Sequence, residues 1–504
     1  MTKHTKWLSL ALAALMLLTS LASCASSDEL NGTDTVDTTA TETADPNADT
    51  RFSDVNYGGR EFHIYTSANQ ATALMESSNY LIEGEEAMGG GLVSDAVFTR
   101  NLTVEEQLGV ELVFTQCKLG AGSIAGDIRI LTQSGMSEFD LVINDNYDYA
   151  PMVLEGHFRN VLDENCEFDF DRNYWYKDYM EDLRLVNGYQ YLLAGDFFID
   201  VLRTAHLMVL NKELYQDYYH TSADEIYDVV SNFEWTYDKL ISIITGLYID
   251  KNQNGVKDAG DQFGYIDADF WGASIPMSTS GTTNFITRNE DGIPSVTIHE
   301  GDRANLLANA MGRLLNDDAT GRINGDVPMT SFINGEALVA AGGMSLGSLE
   351  SETLRQMEAD AAVLPYPMLF ASDQKYTTAT HDTTELGGIL VTATDMEFIS
   401  TVVEVLNRET ANILIPKYYK ECIQLQCVDD EKAAAMIDII HDNFDNAFIL
   451  SYNQALGNGK ILISFSDAAQ AKREFSAVFA GSAKGINRAL TKTIGKYMDK
   501  CNIS

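Results

Sequence analysis

The sequence predicts an α/β fold, with a parallel sheet covered by helices, in a body large enough for two or three domains. Two observations carry this. Strand-like and helix-like periods alternate in the order β-α-β-α-β between residues 61 and 143. Roughly 450 residues with sizeable apolar content follow a polar, aromatic-free stretch near the amino end.

The chain opens with Lys3 and Lys6, then an almost unbroken apolar run from Leu8 to Leu21. That run is too short for a comfortable membrane span. Leu21-Ala22-Ser23-Cys24 follows directly. This pattern resembles the lipobox of bacterial lipoproteins, which implies a signal peptide over 1–23, cleavage before Cys24 and lipidation of that cysteine. An ordinary secretory signal with an accidental cysteine is the alternative. Residues 24–51 read as a flexible linker, because Ser, Thr, Asp, Ala and Asn cannot bury enough surface to offset ordering entropy.

Structure begins near Arg51-Phe52. Glu61 to Tyr65 reads as a strand. Val93, Ala96, Val97, Arg100, Val104 and Leu108 fall at helical spacing, and Gly109 stands where a terminating glycine belongs. Val110 to Thr115 is a second strand, Ile124, Ile128 and Leu131 mark a second helix, and Phe139 to Ile143 is a third strand. Ligands of open parallel sheets sit beyond the carboxyl ends of the strands. Those ends are Thr66 to Asn69, Gln116 to Leu119 and Asn144 to Tyr149. In the last, Asp145, Asn146 and Tyr147 suit a sugar: rings pack on C–H faces while carboxylates and amides meet hydroxyls. A solvated loop is the other reading.

A second region, about 204 to 375, mixes helices and strands. Thr236 and Asp238 mark a helix start, with Ile243, Ile244 and Leu247 continuing its apolar side. Near the carboxyl end, Ala433, Met436, Ile437, Ile440, Phe444, Ala447 and Phe448 trace one helical face, read as core. No internal repeat is visible.

The charge balance is 74 acidic against 34 basic residues, a net of −40. It repels nucleic acid and anionic lipid; solubility alone is the plainer reading, and beside it the balance fits a neutral or cationic ligand better than a polyanion. Six cysteines include Cys24. The remaining five, Cys117, Cys166, Cys422, Cys427 and Cys501, cannot form a complete intramolecular disulfide set and read as free thiols.

The sharpest local chemistry runs from Asp250 to Asp261. Asp250, Asn252, Asn254, Asp258 and Asp261 fall at positions 1, 3, 5, 9 and 12 of a twelve-residue calcium loop, with Gly255 at the turn and the Val256 carbonyl at position 7. Asp261 replaces the usual glutamate, which weakens the expected affinity. An ion-free Asx-rich turn is the alternative. A lone loop of this kind is a structural staple, not a catalyst.

No catalytic constellation stands out: there is no G-x-S-x-G, H-E-x-x-H or Walker-A loop. The Gly-Gly runs at 89–91, 342–343 and 387–388 lack phosphate-cradle spacing and read as turns or close backbone approaches. Carboxylate pairs such as Glu85 and Glu86 are too common in so acidic a chain to imply glycosidase work.

Several stretches in order resemble the extracellular solute-binding proteins of ATP-driven (ABC) importers, in the group that includes maltose-type sugar binders. They are Phe139-Asp140-Leu141-Val142, Leu210-Asn211-Lys212 through Tyr215, Phe233 through Leu240, Asp261-Gln262-Phe263-Gly264, Phe332 through Met344, Leu364-Pro365-Tyr366-Pro367 and Ile415 through Tyr419. Leu338 departs from the usual methionine, and Gly347 or Ser348 stands near where sugar binders often carry tryptophan. Those departures leave the ligand's identity open.

The resemblance implies a two-lobed periplasmic-binding-protein-like (type II) fold with a hinge and an interlobe cleft. Lobe 1 would hold 52–203 plus 376–420, and lobe 2 would hold 204–375 plus 421–504. Crossings are expected near Arg203-Thr204, Tyr376 to His381 and Lys420. The cleft would draw on Asp145, Asn146 and Tyr147, on Trp271 in the loop after the calcium site (or else a core residue), on Met344 and Ser345, and on Phe197, Arg203 and His381 near the hinge. The expected role is a lipid-anchored monomer that captures a sugar or oligosaccharide for ABC permease subunits. A ligand-sensing lipoprotein for a membrane receptor kinase and a calcium-stabilised glycoside hydrolase are the alternatives.

Overall fold

The computed structural model describes residues 50–67, 78–85, 87–117, 121–267, 270–281, 284–322, 327–341, 345, 347, 357, 359–424 and 431–503, without the side chains of 121, 270–274, 327–329 and 420–424. The signal and linker expectations, Cys24, Cys427 and Met344 lie outside the described residues, as do the side chains of Trp271 and Cys422. No helix among the described residues is long and apolar enough to cross a membrane.

Twelve strands run through the described chain: β1 (Arg60–Ser67), β2 (Val110–Cys117), β3 (Leu141–Asp145), β4 (Leu192–Leu193), β5 (Met208–Asn211), β6 (Phe263–Asp267), β7 (Ile286–Arg288), β8 (Pro294–Val296), β9 (Thr320–Arg322), β10 (Ala337–Ala340), β11 (Ala361–Leu364) and β12 (Glu385–Gly388). Ten of them form two five-stranded sheets, in the orders β2-β1-β3-β12-β4 and β11-β5-β10-β6-β9. β7 and β8 pair as a separate antiparallel hairpin.

The two sheets are topological copies. In the first, β2, β1 and β3 are parallel, and β12 runs antiparallel to both β3 and β4. In the second, β9, β6 and β10 are parallel, and β5 runs antiparallel to both β10 and β11. The reversed strand in each sheet is the one that enters directly after the chain has left the other sheet. β5 enters the second sheet after β4 of the first, and β12 enters the first after β11 of the second. The parallel first sheet expected from the β-α-β-α-β pattern is therefore completed by a reversed strand from far along the sequence.

Local chemistry sets the elements. Helix Leu92–Leu108 ends at Gly109, whose φ of 61° is the left-handed conformation that a terminating glycine supplies without strain. Helix Tyr237–Ile244 is capped by Thr236, whose hydroxyl accepts from the Lys239 amide at 3.2 Å. Asn211 and Asp395 cap helices Lys212–Tyr219 and Met396–Glu409 in the same way. Trp235 is fully buried with its indole N–H on the Pro365 carbonyl at 2.9 Å, and a side chain of this kind contributes roughly 2–3 kcal/mol by leaving water. Gly387 and Gly388 are close approaches rather than turns. A Cβ at Gly387 would run into the Phe198 ring, and one at Gly388 would lie 2.6 Å from Phe158.

Several boundaries differ from the sequence expectation. The third strand spans 141–145, not 139–143, so Asn144 and Asp145 belong to it and the stretch expected as a loop becomes helix Asn146–Leu154. The fully buried run of β3 explains this, since both faces are covered and Asp145 is retained as strand end and helix cap together. The helix begun at Tyr237 stops at Ile244, leaving Leu247 beyond a glycine at φ +86°. The apolar face from Ala433 to Phe448 is two helices, Glu431–His441 and Ala447–Ser451, because Asn446 adopts φ +60° between them. Its residues are nonetheless buried as core. Trp271 lies in helix Phe270–Thr279 rather than in a loop. Lys420 lies within helix Ile415–Gln424.

Candidate functional site

The carboxyl end of β3 meets the amino end of β12, so Asp145 lies directly across from Glu385. The second sheet repeats this arrangement. There the chain beyond β10 meets the segment entering β5, and Ser345 bridges His206. The two crossing segments lie side by side between these points. Ala205 pairs with Thr380, the His206 amide donates to the Ala379 carbonyl at 2.9 Å, and the His381 amide donates to the Thr204 carbonyl at 3.1 Å.

Around this junction the chain buries an unusual set of polar groups. Asp145 is 1% exposed. Its Oδ1 accepts from the Tyr147 amide at 2.8 Å as the helix cap, while its Oδ2 is sealed from water with no hydrogen-bond partner among the described residues. Asn146 gives its Nδ2 to the Ser451 hydroxyl at 2.6 Å and leaves Oδ1 unpartnered. The Tyr149 hydroxyl is likewise buried without a partner among the described residues, and the buried His206 ring faces the Thr380 backbone. Buried polar side-chain atoms are normally satisfied, so such a concentration is the physical mark of a place where a solute or water belongs.

Charge at the junction is arranged in pairs that exclude Asp145. Arg203 bonds Asp200 at 2.9 Å, both buried. The other Asp200 oxygen accepts from the Glu385 amide at 2.9 Å, and Glu385 itself accepts from the Ser78 hydroxyl and amide. His381 Nδ1 lies 3.0 Å from Asp382 and 2.8 Å from the Thr383 hydroxyl.

Titration follows from this setting. Burial, with the neighbouring carboxylate of Asp148, pushes Asp145 up to about 7, against the opposing pull of the Tyr147 amide. Burial and then Asp200 push Glu385 up as well. Burial pulls His206 down to about 3, helped by His381, so its ring is neutral at any ordinary pH. Burial also acts to lower His381, but the Asp382 carboxylate outweighs it and holds the imidazole above its usual range.

Of the residues the sequence nominated, Asp145, Asn146, Arg203, Ser345 and His381 all fall at this junction. Tyr147 stands beside them with its ring 37% exposed. Phe197 is placed elsewhere: it is fully buried, with the Arg100 guanidinium 5.0 Å from its ring centre. The sequence did not nominate His206, Glu385 or Asp200, whose only signal was polarity close to the expected crossings, and Tyr149 was marked only as part of the Asn144 to Tyr149 strand end.

A separate cavity of about 580 Å³ is lined by Asn284, Thr287, Glu300, Arg303, Lys375 and Asp445 among others. None of the nominated residues lines it. Its principal charges are already matched, Arg303 to Asp373 at 2.7 Å and Lys375 to Asp178 at 3.1 Å. The junction, with unspent polar atoms, makes the stronger candidate.

The 250–261 loop has the turn that a calcium ligand set requires. Gly255 takes φ +74°, its amide donates to Asp250 at 2.8 Å, and the amides of Asn254 and Val256 donate to Asn252 and Asn254. Asp258 receives the side-chain amides of Asn252 and Asn254 at 3.0 and 2.6 Å. Asp261 is buried and accepts from the Tyr248 hydroxyl and the Lys251 and Asp258 amides. Among the described residues no three His, Cys, Asp or Glu side chains converge as a metal cluster. An ion here would depend on amide and carbonyl oxygens beside Asp250 and Asp258, which the folded turn keeps together, so the residues fit a weak calcium site.

No protein-family model and no curated protein matches this sequence. Solved structures do share its fold. The ABC substrate-binding protein Lmo0181 from Listeria monocytogenes, in complex with cycloalternan, aligns with a TM-score of 0.50 at 12% identity, over 86% of this chain and 99% of that one. UspC from M. tuberculosis aligns with a TM-score of 0.52 at 12% identity, over 85% and 100%. The fold is the two-lobed one of the solute-binding proteins, and the duplicated sheet topology accords with it.

Proposed function

We propose that this chain is an extracellular, lipid-anchored solute-binding protein that captures a sugar or oligosaccharide between its two sheets and passes it to ABC permease subunits. The observation that carries the reading is the set of unspent polar groups at the paired crossings: among the described residues, Asp145 Oδ2, Asn146 Oδ1 and the Tyr149 hydroxyl. Hydroxyls of a sugar can both donate and accept, and so would complete all three. Crossing segments are also where hinge motion is absorbed, so filling this junction would draw the two halves together. The fold-sharing Lmo0181, whose structure holds cycloalternan, supports the ligand class.

In this reading the protein catalyses nothing. Cys24 carries the lipid and holds the protein at the outer face of the cell membrane, where it works as a monomer. A calcium ion on Asp250, Asn252, Asn254, Val256 and Asp258 staples the loop between helix Tyr237–Ile244 and β6, with Asp261 supporting the turn from inside.

The test is a thermal-shift screen of the purified protein against mono- and oligosaccharides, peptides, polyamines and amino acids. A solute that binds only the folded state raises the melting temperature. The expected result is a shift with one saccharide series that Asp145→Ala and Asn146→Ala abolish. A shift confined to peptides or amino acids would overturn the saccharide reading.

A further inference from the structure

The hydrogen-bonding inventory at the junction is lopsided, and this sharpens the capture reading on which it rests. Two of the unspent atoms are Asp145 Oδ2, which accepts when the carboxyl is ionised, and Asn146 Oδ1, which only accepts. One of the two amide hydrogens of Asn146 is spent on Ser451. The Tyr149 hydroxyl can serve either way, and a neutral His206 ring that donates to the Thr380 backbone keeps one acceptor.

Charge leans in the same direction. The groups facing Asp145 are Asp148 on its own helix, Asp382 and His381 on the crossing, and Glu385 and Tyr149 nearby. Arg203 is engaged with Asp200, and His381 with Asp382. Among the described residues Asp145 itself has no ion pair, although it is buried beside further carboxylates. A buried carboxylate left in this state is a standing cost that a cationic donor would relieve.

We infer that the solute captured at this junction carries a protonated amine on a hydroxylated body, as an amino sugar does, and that Asp145 receives the ammonium group. Its hydroxyls meet Tyr149 and His206, and Asn146 Oδ1 accepts a second hydrogen from the amine or a neighbouring hydroxyl. The surrounding acids refuse phosphorylated or carboxylated sugars. Because burial and Asp148 hold Asp145 near neutrality in the free protein, the bound ammonium would also draw its ionisation to lower pH.

Isothermal titration of the purified protein tests this with matched probes. D-glucosamine and its β-1,4 dimer are set against D-glucose and cellobiose, with spermidine as an amine that lacks a sugar body. The expected result is that the amine member of a pair binds about tenfold more tightly than its neutral parent, the order expected of one charge-assisted hydrogen bond. Asp145→Asn keeps the helix cap and removes that advantage, so that the amine member and its neutral parent bind within about twofold of each other. Should that variant fold poorly, the wild-type salt response decides. Affinity for the amine falls severalfold between about 20 and 500 mM NaCl, and the neutral parent's does not.

Equal or tighter binding of the neutral parents overturns the inference and leaves saccharide capture standing. Binding of spermidine alone overturns the hydroxylated body and saccharide capture together. Silence from all five probes also overturns the inference.

Discussion

Glu404 and Asp145 are both carboxylates sealed within the described body, each 1% exposed, yet the protein treats them differently. Glu404 accepts from the Tyr174 hydroxyl at 2.8 Å, the Trp175 indole at 2.9 Å and Arg51 at 2.7 Å. Arg100 is its cationic counterpart: wholly buried, it donates to the carbonyls of Leu81 and Ile82 and to the Thr410 hydroxyl, although burial still lowers it to about 9. Asp145 has one oxygen bonded within its own helix and, among the described residues, no partner on the other. Burial of charge therefore does not by itself mark a functional site. Satisfaction separates the two: a completed network is structural, and an incomplete one waits for a partner.

The largest effect that would break this contrast is on stability. Glu404→Leu strands the Tyr174 hydroxyl, the Trp175 N–H and Arg51, and should cost about 2–4 kcal/mol in urea unfolding. Asp145→Ala loses a helix cap but also removes a carboxylate that burial disfavours, so its net change should stay within about 1 kcal/mol. If the two variants lose equal stability, satisfaction is not what distinguishes them.

Binding reverses the order. Asp145→Ala should abolish the solute-induced rise in melting temperature, whereas Glu404 variants that remain folded should keep it.

A pH titration sharpens the comparison further, using a completed cluster outside the junction. His441 is clamped between Asp196 at 2.9 Å and Asp442 at 2.8 Å. Burial opposes its charge, but the two carboxylates win and push it up to about 10. A histidine raised in the folded state binds its proton more tightly there. Its stabilisation is therefore complete below its ordinary value near 6.5 and is lost as pH rises toward about 10. His206 has the opposite sign. Its folded value near 3 means that stability falls as pH drops from about 6.5 toward 3, because only the unfolded chain takes up the proton. His441→Gln should flatten the alkaline limb of the stability profile, and His206→Gln the acid limb.

The smallest expected effect is calcium. Added Ca²⁺ should raise the melting temperature by a few degrees, and Asp250→Ala should remove that gain without changing solute binding. An unchanged melting temperature in the wild-type protein would leave the loop as an Asx-rich turn.

Much of the first sheet was legible along the chain, because periodicity and caps act locally. Gly109 ended its helix and Thr236 opened one where their side chains, or the lack of one, dictate. Misreadings came where burial overrode local character. The polar Asn144 and Asp145 fall beyond the strand that the sequence predicts over 139–143, but β3 is covered on both faces and keeps them in the strand. A continuous helical face from Ala433 to Phe448 hid the left-handed turn at Asn446, since burial on both sides of a turn leaves the same apolar pattern as one helix.

The amino-acid sequence by itself determined the alternation of strands and helices, the calcium-type loop and the nomination of Asp145 and Asn146, because each depends on spacing or on short stretches of side chains; Arg203, Ser345 and His381 were implied by the resemblance to solute-binding proteins. Tertiary structure alone decided that β12 and β5 enter reversed into sheets begun far away in sequence. It also decided that the Asp145–Glu385 and His206–Ser345 junctions lie where the two crossings pair, and that Glu404 is satisfied while Asp145 is not. Those outcomes depend on which distant groups arrive within hydrogen-bonding reach, and a hydrogen bond across hundreds of residues leaves no period in the chain that forms it.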